Sequence, residues 1–351
     1  MRTAVAWVRV NLFGGVFSSL VTLAAAYLIG RWLWAFLDWA LVHAVWRAPD
    51  GRACTAASEG AGACWAFLGQ WGRFILFGRY PYDSQWRPLL VIVAFAALLL
   101  LSCDRRLWGR WLSPIWIVGL VLNLVLMLGG VFGLDYVPTD LWSGLPLTLI
   151  LAIVGLALAF PLAVLLALGR RSEMPAIRAL SVAYIELIRG VPLITVLFMA
   201  SVMLPLFLPG GTSIDKLLRA QAGFVLFYAA YLAEVVRGGL QAMPKGQYEA
   251  ADALGLGYWR KMRLIILPQA LQISIPALVN IFIAGFKDTT LVTIIGLFDL
   301  ISTASNAITD PSWRGFYVEA YGFIGAIYFV FCFFMSRYSG SLEANFRRGR
   351  R

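Results

Sequence analysis

Apolar runs long enough to cross a lipid bilayer recur along almost the whole of this 351-residue chain, and they restrict it to very few folds. A spanning helix needs about 20 mostly apolar residues. Runs of that kind lie near 11–33, 88–103, 114–134, 142–168, 177–208, 217–240, 270–287 and 316–338. A ninth apolar stretch, 291–301, is too short to cross and reads as a re-entrant or interfacial piece. Composition agrees, with 61% hydrophobic and 13% charged residues. A soluble domain has about a quarter charged, and a soluble protein this apolar would expose large sticky patches. The expectation is an all-α integral membrane protein of about eight transmembrane helices.

The formal net charge is +11, from 29 Lys+Arg against 18 Asp+Glu. A basic balance can signal nucleic acid. Here the charges fall between apolar runs, as topology signals do, and no nucleic-acid partner is expected. With the N-terminus inside, the inner segments hold Arg105, Arg106 and Arg110, then Arg170, Arg171 and Arg178. They continue with Lys245, Arg260, Lys261 and Arg263, and end with Arg347, Arg348, Arg350 and Arg351. The opposite loops at 134–141 and 209–216 hold only Lys216. Both termini are therefore expected on the cytoplasmic side of the membrane. The loop at 47–87 is an exception, with Arg47, Arg52, Arg73, Arg79 and Arg87. A competing reading makes the first run a cleaved signal peptide, with Arg2 and Arg9 before it and Ala24, Ala25 and Ala26 as a small-residue site. The Trp-rich continuation (Trp32, Trp34, Trp39, Trp46) favours an uncleaved anchor at a membrane interface.

Residues 1–141 hold three of the runs and the polar loop, and residues 142–351 hold five runs and every informative motif. Cysteine and histidine show no metal-binding spacing. Cys103 and Cys332 sit in apolar runs as packing residues. Cys54 and Cys64 flank a small polar loop; in an oxidising compartment they would form a disulfide, the alternative being two free thiols. The one histidine, His43, lies in the Trp-rich anchor and reads as structural or interfacial.

One stretch carries the functional reading. Glu249-Ala250-Ala251-Asp252-Ala253-Leu254-Gly255 is followed, nine residues on, by Ile265-Ile266-Leu267-Pro268. Gln247 to Leu254 is a good helix former whose small residues can lie close to a partner. Gly255 can take positive φ and turn the chain. Tyr258, Trp259 and Met262 offer anchors beside Arg260, Lys261 and Arg263. Pro268 suits the first turn of the following helix. This pattern resembles the EAA loop of binding-protein-dependent ABC importer permeases. Tyr184, Glu186, Arg189, Gly190, Pro192 and Leu193 resemble the Y-x-E-x-x-RG-x-PL signature of the polar amino-acid permeases. Ala230 to Gly239, with Pro244 to Gln247, is similar to a second family segment, and Gly285 to Leu291 resembles its LKDTSL stretch, departing at Phe286 and Thr290. The long N-terminal extension makes the chain most similar to the M-type subunit of the general L-amino acid permease.

The resemblance implies a type I ABC importer permease core of five spans after a three-span extension. It implies that Glu249, Ala250, Ala251, Gly255, Leu267 and Pro268 couple to an ATPase. It also implies the partners: a cytoplasmic ABC ATPase dimer, a second similar permease, a periplasmic amino-acid-binding protein and the lipid bilayer. No phosphate-cradling GxxxxGK[ST] loop occurs, so ATP and Mg would belong to the partner ATPase and the chain carries no cofactor of its own. No nucleophile–base triad is visible, and the chain is read as a transporter subunit rather than an enzyme.

Ionisable residues inside a bilayer are costly and are usually paired or functional. Glu186/Arg189 and Glu234/Arg237 sit at i, i+3 spacing and each pair shares a helix face, as self-neutralising packing or as part of a gate. Lys287, Asp288, Thr289 and Thr290 close the seventh run, where they could meet a zwitterionic amino acid, or Lys287 and Asp288 could pair with each other. Gly190 and Pro192 should kink the run that contains them. Two other classes stay open: an ion-coupled secondary transporter, which usually shows a repeated half, and a non-transporting scaffold.

Overall fold

The computed structural model describes residues 4–57, 62–107, 109, 111–207, 209 and 214–348. Arg2, Arg110, Arg350 and Arg351 lie outside the described residues, as do parts of the loops at 47–87 and 209–216. The described residues form helices without a β-sheet, and they divide into two compact units.

The first unit comprises Met1–Gly72 and Ile308–Ala320. It contains α1 (Ala4–Leu12), α2 (Val16–Leu37), α3 (Gly51–Ala57) and the start of α4 (Ala66–Phe77). Helix α2 buries none of its residues, so its apolar surface faces outward all round, as a lipid-facing helix does. The described part of the stretch read as a polar loop is folded and cross-linked. Cys54 and Cys64 are joined by a disulfide with Cα atoms 6.1 Å apart. The buried Glu319 carboxylate accepts the Cys64 backbone N–H at 2.9 Å. Phe67 packs its ring against Trp313 and Phe316.

The second unit comprises Arg73–Ala307 and Tyr321–Arg351. Its helices are α5 (Trp86–Cys103), α6 (Leu112–Leu128), α7 (Gly144–Arg170), α8 (Pro175–Arg189), α9 (Leu193–Phe198) and α10 (Lys216–Gln241). They continue with α11 (Lys245–Ala253), α12 (Tyr258–Lys261), α13 (Leu267–Asp288), α14 (Leu300–Ala307) and α15 (Tyr317–Arg348), whose first residues belong to the other unit. Helix α10 is central and packs along α7, α8, α9 and α13. The contact rests on small residues. Ala152, Gly155, Ala159, Ala163 and Ala167 form a buried stripe along α7, and Ala220, Ala229, Ala230 and Ala233 are buried on α10. A Cβ at Gly155 would sit 2.5 Å from the Phe224 ring. In lipid, where exclusion of water cannot drive helices together, such close approach supplies the van der Waals contact that holds them.

Among the described residues, six helical stretches are long and apolar enough to cross a membrane, or seven if a bent pair counts as one. The expected span 114–134 is a shorter helix, Leu112–Leu128. The expected kink within 177–208 is a full break: Pro175–Arg189 and Leu193–Phe207 meet at 103°. Pro192 has no N–H to give to a continuing helix and pushes Val191 out of helical geometry, so α8 ends at Arg189. The stretch after α13 is a short 3₁₀ turn, Thr289–Ile295, then a turn at Gly296 and the eight-residue α14, which fits a non-crossing piece. Asp299 caps α14 by accepting the N–H groups of Ile301 and Ser302. The boundary expected at 141/142 does not coincide with the division into units, because α5 packs against both α6 and α7.

Three of the five arginines that broke the charge asymmetry have local structural partners. Arg87 is buried and donates to the carbonyls of Leu126 (2.6 Å) and Asp135 (2.9 Å), closing the C-terminal end of α6. Arg79 lies 3.7 Å over the Phe298 ring. Arg73 lies 3.7 Å over Tyr82 and donates to Gln85 Oε1. Their positions follow packing, so they carry little information on topology.

The disulfide closes a short loop, and its removal should cost about 2–3 kcal/mol on the loop-closure estimate. We expect Cys54 and Cys64 to resist alkylation in denatured, unreduced protein while Cys103 and Cys332 react. Mass spectrometry of the alkylated peptides checks this, and labelling at all four positions would refute the bridge.

Candidate functional site

The EAA-like stretch is a helix, a hinge and a second helix. Helix α11 begins after the extended Pro244 and ends where Gly255 takes φ +70°. The N–H groups of Gly255 and Leu256 fold back to the carbonyls of Asp252 (2.9 Å) and Ala251 (3.2 Å), closing the helix end. Ala251 is buried, whereas Glu249, Ala250, Asp252 and Ala253 are exposed. Beyond the hinge, helical structure runs from Tyr258 to Ile295. Pro268 stands in the first turn of α13 as expected, and α13 itself continues a helical run that starts at Tyr258. The turn Met262–Ile266 is π-helical, with the Leu267 N–H reaching Met262 O. A widened turn immediately before a proline accommodates the missing N–H and the crowded ring.

Large apolar side chains are exposed around the hinge, among charged ones. Leu254 is 74% exposed and Trp259 69% exposed, and the Tyr258 ring stands edge-on to Trp259 at 5.3 Å. Lys261 pairs with Asp252 at 2.5 Å, and Gln269 donates to Gln247 at 2.8 Å. Tyr248 of α11 donates its hydroxyl to Leu240 O at 3.3 Å, and Arg171 donates to both Leu240 O and the Tyr248 oxygen at 3.0 Å.

The charges on α8 and α10 form one network rather than two self-contained pairs. Arg237 pairs with Glu234 at 2.7 Å within α10. Arg189 of α8 reaches across to Glu234 at 3.7 Å and lies over the Tyr231 ring, instead of pairing with Glu186. Arg170, at the last turn of α7, donates to Glu186 at 2.8 Å and to Glu234 at 2.7 Å. The two family-like signatures thus meet in space, joined by a residue that belongs to neither. In the sequence Arg170 is one more basic residue after an apolar run; its only available signal was that the paired motifs bring two carboxylates to the same end of the fold.

Lys287, Asp288, Thr289 and Thr290 do not converge. Asp288 accepts a 2.6 Å hydrogen bond from Tyr228, which the sequence reading missed. Thr289 is buried and donates to Phe286 O at 2.8 Å in the last turn of the preceding α13. Lys287 is exposed, and no ion pair joins it to Asp288 among the described residues. Thr290 is half-buried, its carbonyl taken by Thr293. Phe286 packs between Tyr328 and Phe331.

Comparison with known proteins gives consistent matches. Residues 159–348 match a family model described as "Binding-protein-dependent transport system inner membrane component". The chain is 51% identical to the "Inner membrane amino-acid ABC transporter permease protein YhdY" of Escherichia coli, over 99% of this chain and 94% of the relative. It is 40% identical to the "Glutamate/glutamine/aspartate/asparagine transport system permease protein BztC" of Rhodobacter capsulatus, over 99% and 95%. A solved chain described as "Crystal structure of an amino acid ABC transporter with histidines" superposes with a TM-score of 0.51 at 34% identity, covering 57% of this chain and 92% of its own length.

The network ranks its carboxylates. Glu234 is 14% exposed with three arginines around it, whereas Glu186 is 54% exposed with one partner. Glu234→Ala strands three guanidinium groups in a partly buried place and should cost about 2–4 kcal/mol; Glu186→Ala should cost under about 1 kcal/mol. Thermal unfolding in detergent measures both, and equal losses would mean the network is not organised around Glu234.

Proposed function

This chain belongs to the binding-protein-dependent transport system inner membrane components, and from that premise we propose that residues 245–268 are the handle by which an ATPase drives it. The protein is a permease subunit of an amino-acid ABC importer, a transport component rather than an enzyme. Members of such a family work with an ATPase and a substrate-binding protein.

The observation that carries the proposal is the set of exposed apolar side chains around the hinge, with Leu254 uncovered at the end of α11 and Tyr258 and Trp259 uncovered on α12, on either side of Gly255. Exposed aromatic and aliphatic anchors beside Arg260 and Arg263 are the composition of an interface centre awaiting its partner. In our reading this face, with Glu249, Ala250 and Gly255, lies on the cytoplasmic side and docks into one subunit of an ATPase dimer, which holds ATP and Mg. Buried Ala251 sets the docking helix against the permease, and Leu267 and Pro268 tie it to α13. Both termini are cytoplasmic, and residues 47–72 with their disulfide lie in the periplasm. A second, similar permease chain completes the pathway. Residues 142–351 form the transport core, supported by the family match over 159–348.

Glu186, Arg189, Glu234 and Arg237 act as part of the gate, since their network ties α8 to α10. Asp288, held by Tyr228, and the exposed Lys287 border the substrate path; the Thr289 hydroxyl is turned back onto the end of α13 and contributes only to its shape.

Gly255→Val places a β-branched residue at positive φ and should distort the hinge. In proteoliposomes holding the complete complex, uptake should fall about tenfold or more while the partner still hydrolyses ATP. Normal uptake would remove the hinge from coupling. Asp288→Asn and Lys287→Ala should each raise the KM for uptake, and two unchanged KM values would take both residues off the path.

A further inference from the structure

Among the described residues, most polar tethers of α11 go to the segments that flank it in sequence. Gln247 meets Gln269, Asp252 meets Lys261, and Tyr248 meets Leu240 O. Arg171 is different, because it belongs to α7's C-terminal end, some 70 residues earlier in the chain. Its guanidinium donates from one nitrogen to the Tyr248 oxygen and to Leu240 O, both at 3.0 Å, and lies 5.6 Å from the centre of the Tyr248 ring. Leu240 is in the last turn of α10, so the same nitrogen also grips that helix end, where a cation is favoured.

The neighbouring residue, Arg170, reaches to other helices. It bridges Glu186 of α8 and Glu234 of α10 at 2.8 and 2.7 Å. Two consecutive arginines at the end of one long span therefore connect the docking helix on one side with the charge network of α8 and α10 on the other. Helix α7 is well suited to hold them: its small-residue stripe is buried against α10, which anchors the backbone from which both side chains project. Arginine suits such a junction because one terminal guanidinium nitrogen carries two N–H groups and can serve two acceptors at once.

We propose that Arg170 and Arg171 are positioning residues that carry movement of α11 into α8 and α10, so that displacement of the docking helix reaches the gate through the end of α7. The inference rests on the coupling role of 245–268 proposed above. Coupling of this kind needs a physically continuous set of contacts with two arrangements. The contacts Tyr248–Arg171 and Arg170–Glu186/Glu234 supply the continuous set, and their exchange during the cycle would supply the second arrangement.

The test uses the full complex in proteoliposomes with its binding protein and a radiolabelled mixture of L-amino acids. The quantity read is ATP hydrolysed per amino acid imported. Arg171→Ala should raise this ratio by about threefold or more, within the range for mutations along a coupling path. Tyr248→Phe keeps the ring and removes the hydroxyl, so it should move the ratio the same way by less, and it serves if Arg171→Ala does not assemble. Arg171→Lys retains a cationic donor and should restore much of the coupling, which a purely structural loss of stability would not predict. Gly255→Val is measured alongside. If Gly255→Val raises the ratio and both Arg171→Ala and Tyr248→Phe leave it unchanged, the arginine link is wrong and the coupling loop stands. If none of the three changes it, both readings fall.

Discussion

Lipid gives helices no hydrophobic reason to associate with each other, so everything in the second unit depends on how closely α7 and α10 can approach. The buried stripe Ala152, Gly155, Ala159, Ala163 and Ala167 removes side-chain bulk from α7 along one face. Phe224 then packs over Gly155, and Ala229, Ala230 and Ala233 bury on α10. With that contact in place, α10 also holds α8, α9 and α13, and the ends of α7, α8 and α10 are brought to one place. The charged network exists because of this apolar packing: only when those ends are juxtaposed can Arg170 find Glu186 and Glu234 together.

That arrangement separates two roles for charge. Within α10, Glu234 and Arg237 neutralise one another across a single turn and would do so in any helix. Between helices, Arg170 and Arg189 converge on Glu234, and the pairing fastens three elements. A transporter has to change the relation of its helices during each cycle. Of these fasteners the Arg170–Glu186 pair is the one suited to exchange, since the exposed Glu186 is screened by water and salt, whereas the partly buried Glu234 is the firmer anchor. The stretch around Gly255 is built differently. Its backbone is well closed by the Gly255 turn and tethered to its flanking segments, while Leu254 and Trp259 are left exposed.

The first unit follows a different logic. Its chain is held by a covalent bridge, by Phe67 between Trp313 and Phe316, and by the buried Glu319 carboxylate on the Cys64 amide. A short segment with little apolar core of its own needs such cross-links to stay ordered. Composition alone made this region look like an open polar loop, because glycine, arginine and cysteine are counted there without the distant 308–320 segment that covers them. Arg73, Arg79 and Arg87 mislead for a related reason: a charge rule assumes solvated side chains, and these three spend theirs on Tyr82, Phe298 and the end of α6.

What the sequence by itself determined was local or periodic. Apolar runs set where helices lie, the Glu249–Gly255 pattern placed a short helix and its turn, and i, i+3 spacing placed Glu234 beside Arg237. Such signals need only a few neighbouring residues and the geometry of one helix. Tertiary structure decided the rest: that Pro192 breaks its run by 103°, that Arg170 is shared between two carboxylates, that Arg171 meets Tyr248, and that Asp288 takes Tyr228 instead of Lys287. Each of these depends on which helix ends meet and at what angle. Long, flexible side chains can satisfy many partners, and only the packed arrangement of α7, α8, α10 and α13 selects one.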